Sequence, residues 1–295
     1  VPPSATEVKI DTTPLNPYDP LDTNLARALS RYALIEDDTT VTDLSDLRIR
    51  WKTQQFRTAM EPFYEEKPGP KGGLQMAWLS DLWMRHPDRR QVRSIAMRPD
   101  MPWPIFEENG AQHVNTYRPK LFPAGGDATI GMQFLENLLP IAAERRYFMQ
   151  WLSHKIQHPE VRGVGIIMVA HQTFGTGRGS LIQLLRLMFP DNTVRNIDFD
   201  MLSGRNYQSQ YNDWRVDSLI VAVDEAQETA QNVSRWQTRN NAYERLKDVV
   251  DPSTTDITVV RKGAPNTAGK TYASVVVMTN HMDSVVLPVN DRRFA

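Results

Sequence analysis

Apolar positions along this chain recur with two different periods, and the changes of period mark its organisation. Residues 1–22 carry five prolines among small polar residues, which predicts an extended arm or linker. Leu25, Ala28, Leu29, Tyr32 and Ala33 then fall at helical spacing and predict a first helix. Asp37-Asp38 and the Asp/Leu run that follows predict a solvated loop and a second short helix. The stretch EEKPGPKGG, residues 65–73, predicts a turn or hinge. Within 74–86, Leu74, Trp78, Leu79, Leu82 and Trp83 form a helical stripe, with the tryptophans expected in a core rather than as a platform for bases. Residues 91–97 alternate weakly, as a strand would. Residues 99–123 hold five prolines and predict a long irregular loop. Glu107 and Glu108 lie in it; adjacent side chains point apart, so they predict solvated positions, not a carboxylate pair.

Helical periodicity returns over 127–158. Met132, Leu135, Leu138, Leu139, Ala142 and Ala143 mark one amphipathic tract, which Pro140 kinks or splits, and Tyr147, Phe148, Trp151, Leu152 and Ile156 mark another. The pair leads into 164–170, VGIIMVA, apolar throughout as a strand covered on both faces should be. Next comes HQTFGTGRG, with glycines at 175, 177 and 179. Alternating glycines let a backbone turn tightly and aim several N–H groups at one point. Ser180 is expected to cap the helix carrying Leu181, Leu184, Leu185 and Met188. A helix N-terminus behind bare glycines is an anion site, and the natural anion is a nucleotide phosphate. The plainer alternative is a glycine-rich turn with no ligand. Compared with G-x-x-x-x-G-K-[ST], Gln172 stands at the first glycine, Arg178 at the lysine and Gly179 at the Ser/Thr, with Ser180 one place late.

Composition narrows the classes. The 295 residues can hold two domains, and 40% hydrophobic content is ordinary for a globular protein. No apolar run reaches the roughly 18–20 residues of a membrane span. The absence of an initial Met and of a signal peptide suggests a fragment or processed chain. Zero cysteines exclude disulfides and Cys-based zinc sites and fit a reducing cytoplasm. A net charge of −1 gives no global signal for nucleic acid, so any such surface must be local.

Beyond the glycine-rich stretch, Asp198 and Asp200 are spaced to share one face of a strand. They are candidate metal ligands, weighed against ordinary strand-end aspartates. Residues 218–225, SLIVAVDE, form a buried strand ending in Asp224 and Glu225, 46 residues after Arg178. The first carboxylate can hold Mg²⁺ and the second can polarise a water. Residues 236–250 predict a helix. Two strand-like runs, 257–260 and 272–278, flank a Gly/Pro/Asn loop with Arg261, Lys262 and Lys270 expected near its tip. Such a loop either grips a nucleic-acid backbone or is a solvated turn. Asn280 follows the second run, where an amide can reach a γ-phosphate or its water. Arg292 and Arg293 close the chain as candidate arginine fingers, or as partners of Asp291.

Taken in order, FGTGRGSL, the strand ending in DE, the basic hairpin, TNH and DRRF resemble the superfamily 3 helicase region of phage and poxvirus-type primase-helicases. FLENLLP and WLSHKIQHP are similar to the collar that precedes it. The resemblance spans residues 89–295. It implies an α/β fold: a P-loop NTPase core, AAA+-like, with a parallel sheet at 161–295, cut short at its C-terminus. It further implies a helical collar at 127–160, a mixed α+β region at 23–126 and the arm at 1–22. By that likeness Gly175, Thr176, Gly177, Arg178, Gly179 and Ser180 bind ATP. Asp224 and Ser180 hold Mg²⁺, Glu225 and Asn280 act on the attacking water, and Arg292 or Arg293 is the finger. Arg261, Lys262 and Lys270 bind single-stranded DNA. The implied assembly is a hexameric ring coupled to a primase or polymerase domain outside this stretch, a phage or mobile-element protein in the cytoplasm of a bacterial host. Two alternatives stay open: a non-hydrolysing nucleotide- or DNA-binding ring with a degenerate P-loop, and a nucleotidyl-transfer enzyme centred on Asp198 and Asp200.

Overall fold

The computed structural model describes residues 10–69, 72–101, 103–122, 125–170, 177–190, 192–199, 201, 210–224, 243–244, 246–251, 253, 255–263, 265–279, 287–288 and 291–295. The chain divides into two compact units, Val1–Thr116 and Tyr117–Ala295.

The first unit runs α1 (Leu21–Arg31), β1 (Tyr32–Ile35), β2 (Thr40–Asp43), β3 (Arg50–Lys52), α2 (Thr53–Ala59), β4 (Tyr64–Pro68), β5 (Leu74–Trp78), α3 (Leu79–Arg85), β6 (Gln91–Val92), β7 (Ser94–Ala96), β8 (Ile105–Glu108) and β9 (Ala111–Asn115). A four-stranded sheet takes the order β3-β2-β1-β6. Tyr32, Phe56, Leu79 and Trp83 pack with α1 into one core, and Trp83 Nε1 donates to the Ala28 carbonyl at 3.1 Å.

Several expectations change here, and always because pairing outweighs local pattern. Tyr32 and Ala33 do not extend the first helix but open β1, whose residues are almost all buried between β2 and β6. The Asp/Leu run expected as a second helix is instead the end of β2 and the turn from β2 into β3, where Ile49 N–H donates to the Asp46 carbonyl at 2.9 Å; β2 itself is entered through Thr39 at φ 53°. Of the expected 65–73 turn, residues 65–68 belong to β4, which forms an antiparallel ribbon with β5 closed by Gly69 N–H donating to the Gly73 carbonyl at 2.7 Å, and only α3 of the predicted 74–86 helix is helical. The 99–123 loop contains the β8–β9 hairpin, turned by Asn109 (φ 52°) and Gly110 (φ 75°). That Asn-Gly pair is a hairpin signal in its own right. Glu108 is not merely solvated; it accepts from the buried Arg98 at 2.7 Å.

The second unit runs α4 (Thr129–Leu138), α5 (Ala142–Gln157), β10 (Ile166–Val169), α6 (Arg178–Met188), β11 (Val194–Asp198), β12 (Ile220–Asp224), β13 (Asp256–Val259), β14 (Thr267–Lys270) and β15 (Ser274–Thr279). Pro140 splits the expected helical tract into α4 and α5. Residues 243–244 and 246–250 are helical. The fold of this unit is α/β: β10, β15, β12 and β11 lie side by side in that order, all parallel. A parallel sheet is covered on both faces, which is why β12 and β15 read as unbroken apolar runs. One face packs Val221, Val223, Val275 and Val277 against Tyr243, Leu246, Val249 and Val250. Beyond β10, Phe294 makes a parallel bridge to Gly165, and Ile167 N–H donates to the Ala295 carbonyl at 3.0 Å, so the last residues add an edge to the sheet.

Candidate functional site

In an open parallel sheet, ligands sit outside the carboxyl ends of the strands. Here those ends are fixed by register. Val169 pairs with Thr279, Val223 with Val277, and Asp198 with Asp224. The end of β10, the end of β15, Asp224 and Asp198 therefore share one edge. β15 lies between β10 and β12, so those two strands run about 10 Å apart across the sheet.

Residues 171–176 lie outside the described residues, and with them Gly175 and Thr176. The turn is described from Gly177, at φ 84° and ψ 14°. This left-handed conformation suits glycine. A Cβ there would also sit 3.0 Å from Phe134 Cε2 on α4. Gly177, not Ser180, is the N-cap of α6, so the expected cap moves three residues back. The reason is geometric: a left-handed glycine can end the turn where a serine would be strained. Ser180 is instead exposed within the first helical turn. The first intrahelical bond runs from Leu181 N–H to the Gly177 carbonyl, at 2.9 Å. The amides of Arg178, Gly179 and Ser180 precede it and are among the donors a helix start leaves without intrahelical partners.

Arg178 opens α6. Its Nη1 is buried and makes no hydrogen bond among the described residues. A buried guanidinium nitrogen without an acceptor is costly, and an anion at this helix start would supply one. The residues present thus fit a phosphate-bearing ligand. Asp224 ends β12, whereas Glu225 and Asn280 lie outside the described residues, as does Asp200. Among the described residues no cluster of three or more His, Asp or Glu is placed to hold a metal.

Arg292 and Arg293 come at the opposite edge. Gly165, partner of Phe294, precedes β10, so Arg293 lies beside the amino end of that strand, about 13 Å of strand from its carboxyl end at Val169. Arg293 Nη1 is 3.5 Å from Asp291, whose other oxygen accepts from Arg293 N–H at 2.7 Å. Tyr243 also donates to Asp291. Arg292 is exposed.

The basic hairpin forms, but its cations are placed differently from the expectation. β13 pairs with β14, with Asp256 opposite Lys270 and Val259 opposite Thr267. Lys270 is therefore at the base, not near the tip, and its Nζ is 2.8 Å from Asp256. Arg261, past the end of β13, donates to Thr267 Oγ1 at 2.9 Å. Lys262 is exposed beside Gly263, whose φ is 70°, and makes no hydrogen bond or ion pair among the described residues.

Besides Arg98 in the first unit, three buried cations among the described residues of the second unit escaped the sequence reading. Lys155 on α5 donates to the carbonyls of Pro159, Val161 and Tyr272 at 2.7–2.9 Å. Burial, with the Arg162 charge nearby, pushes its pKa down to about 7. Arg162 donates to the carbonyls of Val249 and Ala273, and burial, with Arg215 nearby, pushes it down to about 10. Arg215 pairs with Asp248 at 2.9 Å and accepts, through its carbonyl, from Thr271 Oγ1 at 2.9 Å. Together they pin residues 271–273, which join the hairpin to β15. A lysine on an amphipathic helix reads as solvated; only the fold shows that Lys155 faces inward.

Comparison with known proteins places this architecture. A model described as a family of unknown function, DUF5906, matches residues 172–293. The chain is 29% identical over 195 residues to the DNA primase-polymerase of Nitratiruptor phage NrS-1, an alignment covering 64% of this chain and 25% of that protein. The apo structure of the NrS-1 C-terminal region superposes with a TM-score of 0.64 at 21% identity, over 89% of this chain and 57% of that one. An A-form apo structure of the same region gives 0.58 at 20% identity, over 89% and 57%. The chain is thus a homologue of a phage primase-polymerase and shares the fold of its C-terminal region, as the motif order led us to expect. It spans only a quarter of that relative's length. No helix among the described residues is long and apolar enough to cross a membrane.

Proposed function

We propose that residues 117–295 form an ATP-driven helicase or translocase module of the P-loop, superfamily 3 type, acting on single-stranded DNA within a phage primase-helicase. The observation that carries this reading is the Nη1 of Arg178 at the start of α6, buried and without a hydrogen-bond partner among the described residues, on the helix that follows β10, whose carboxyl end shares a sheet edge with Asp224. A cationic helix start facing an acidic strand end is the pairing a Mg²⁺-nucleotide needs, since the phosphates take the first and the metal takes the second. Kinship with a primase-polymerase supports a role in DNA synthesis.

In this scheme Gly175, Thr176, Gly177, Gly179 and the α6 amides cradle phosphate, and Arg178 supplies the charge that a lysine supplies in the common motif. Asp224 and Ser180 hold Mg²⁺, which would neutralise charge developing on the phosphates. Glu225 orients the attacking water and Asn280 bonds it or the γ-phosphate. Arg292 or Arg293 acts from a neighbouring subunit of a hexameric ring, because its own edge of the sheet is remote from the turn. The hairpin cations, Lys262 foremost, hold the DNA backbone.

Arg178 at the lysine position and Gly179 at the Ser/Thr position favour a second reading. In it the ring binds nucleotide or DNA without hydrolysis. ATP turnover of the purified chain with oligo(dT), beside Arg178→Lys, separates the two. DNA-stimulated turnover in either protein supports the motor. Intact DNA binding with no turnover in both supports the scaffold.

A further inference from the structure

β13 and β14 pair only with each other, in a sheet of their own, and a two-stranded ribbon is marginal by itself. Its mounting is unusual. Asn212 precedes the 3₁₀ turn Asp213–Arg215 at its N-cap, yet makes no side-chain cap bond. An asparagine there ordinarily caps the turn. Instead it is committed to the free edge of β13. Asn212 N–H donates to the Val260 carbonyl at 3.1 Å, Val260 N–H donates to Asn212 Oδ1 at 2.7 Å, and Asn212 Nδ2 donates to the Thr258 carbonyl at 2.9 Å. One residue thus fills the edge positions a third strand would fill. Below it, Gly269 lets the ribbon lie flat on Val216: a Cβ at Gly269 would sit 2.6 Å from Val259 Cγ2 and 3.1 Å from Val216 Cγ1. The same short segment accepts from Thr271 through the Arg215 carbonyl.

We infer that Asn212 is the positioning residue of the hairpin: it fixes the angle at which Arg261 and Lys262 are presented to a single-stranded nucleic-acid backbone. The inference rests on the hairpin being the DNA grip proposed above. Val260, held by two of the three bonds, is the residue immediately before Arg261, so the edge is pinned right where the cations begin. Without the amide, the outer edge of β13 turns to water and the tip samples many poses, which weakens a multi-contact grip without touching the nucleotide edge of the sheet.

The test uses the whole chain, a fluorescein-labelled oligo(dT), a fluorescent ATP analogue, and amide hydrogen exchange. Asn212→Ala is expected to weaken oligo(dT) binding about five- to tenfold, the loss of two side-chain hydrogen bonds. It should accelerate exchange at Val260 and leave ATP-analogue affinity unchanged. Asn212→Asp, which keeps the acceptor for Val260 N–H but not the donor to Thr258, should fall between the two. Wild-type oligo(dT) affinity in Asn212→Ala, with weakened binding in Lys262→Ala, overturns the inference and leaves the hairpin reading standing. Wild-type affinity in both Lys262→Ala and Arg261→Ala overturns the hairpin reading and the inference with it. Equal losses of DNA and nucleotide binding in both Asn212 variants mark a general structural role and also overturn it.

Discussion

The ring of Phe294 lies against the backbone of Gly165: a Cβ on Gly165 would sit 2.8 Å from both Phe294 Cδ1 and Cε1, and 3.2 Å from Val250 Cγ2. This close approach lets the last residues join the sheet beside β10. Gly165→Ala should therefore destabilise the second unit by about 1–3 kcal/mol, as overpacking does. Urea denaturation followed by tryptophan fluorescence measures it. An unchanged midpoint would show that Phe294 moves aside freely.

In the proposed function Arg178 is the residue on which nucleotide binding would turn. Arg178→Ala should reduce affinity for an ATP analogue at least tenfold, since it removes a charge-assisted contact to phosphate. The protein should stay folded, because the lost guanidinium nitrogen has no partner among the described residues. Arg178→Lys should recover part of the affinity. Equal binding by all three proteins would place the phosphates elsewhere.

Glu225→Gln should abolish ATP turnover and spare binding, whereas Asp224→Asn should weaken Mg²⁺-dependent binding as well. The difference would follow from the roles proposed for them, one on water and one on metal. Turnover and equilibrium binding, measured with and without Mg²⁺, distinguish them.

The two terminal arginines should separate. Arg293 is engaged by Asp291, so Arg293→Ala should lower the unfolding midpoint. Arg292 is exposed and is the better placed to reach a neighbouring subunit. Arg292→Ala should cut turnover by about a thousandfold or more if it is the finger, and mixing it with a Glu225→Gln protein should restore some activity at hybrid interfaces. Full activity in Arg292→Ala excludes it.

Lys155 gives a pH signature. Its pKa falls from 10.5 to about 7 on burial, although three carbonyl acceptors favour the charged form and oppose any further fall. Between about pH 7 and 10.5 the unfolded chain binds a proton that the folded chain has released. Stability should therefore rise with pH through that window, by up to about 1.4 kcal/mol per unit, and be independent of this group below pH 7. Lys155→Met should lose the slope. A wild-type slope in Lys155→Met would assign it to another group.

Much of this was legible in one dimension. Runs such as 218–223 and 272–278 announce buried parallel strands because both faces must be apolar, 164–170 announces a parallel strand whose end, Val169, is exposed, and Gly177 takes the left-handed conformation that its glycine-rich setting led us to expect. Local chemistry of that kind is written in adjacent residues. Pairing is not. That Tyr32 begins a strand, that Gly177 rather than Ser180 caps α6, that Lys270 sits at the hairpin base against Asp256, and that Asn212 serves an edge strand 46 residues away all depend on which groups the folded chain brings within hydrogen-bonding distance. Short-range pattern sets what each segment can form. Long-range contact, through burial and the need to satisfy every backbone donor and acceptor, selects which of those forms survives.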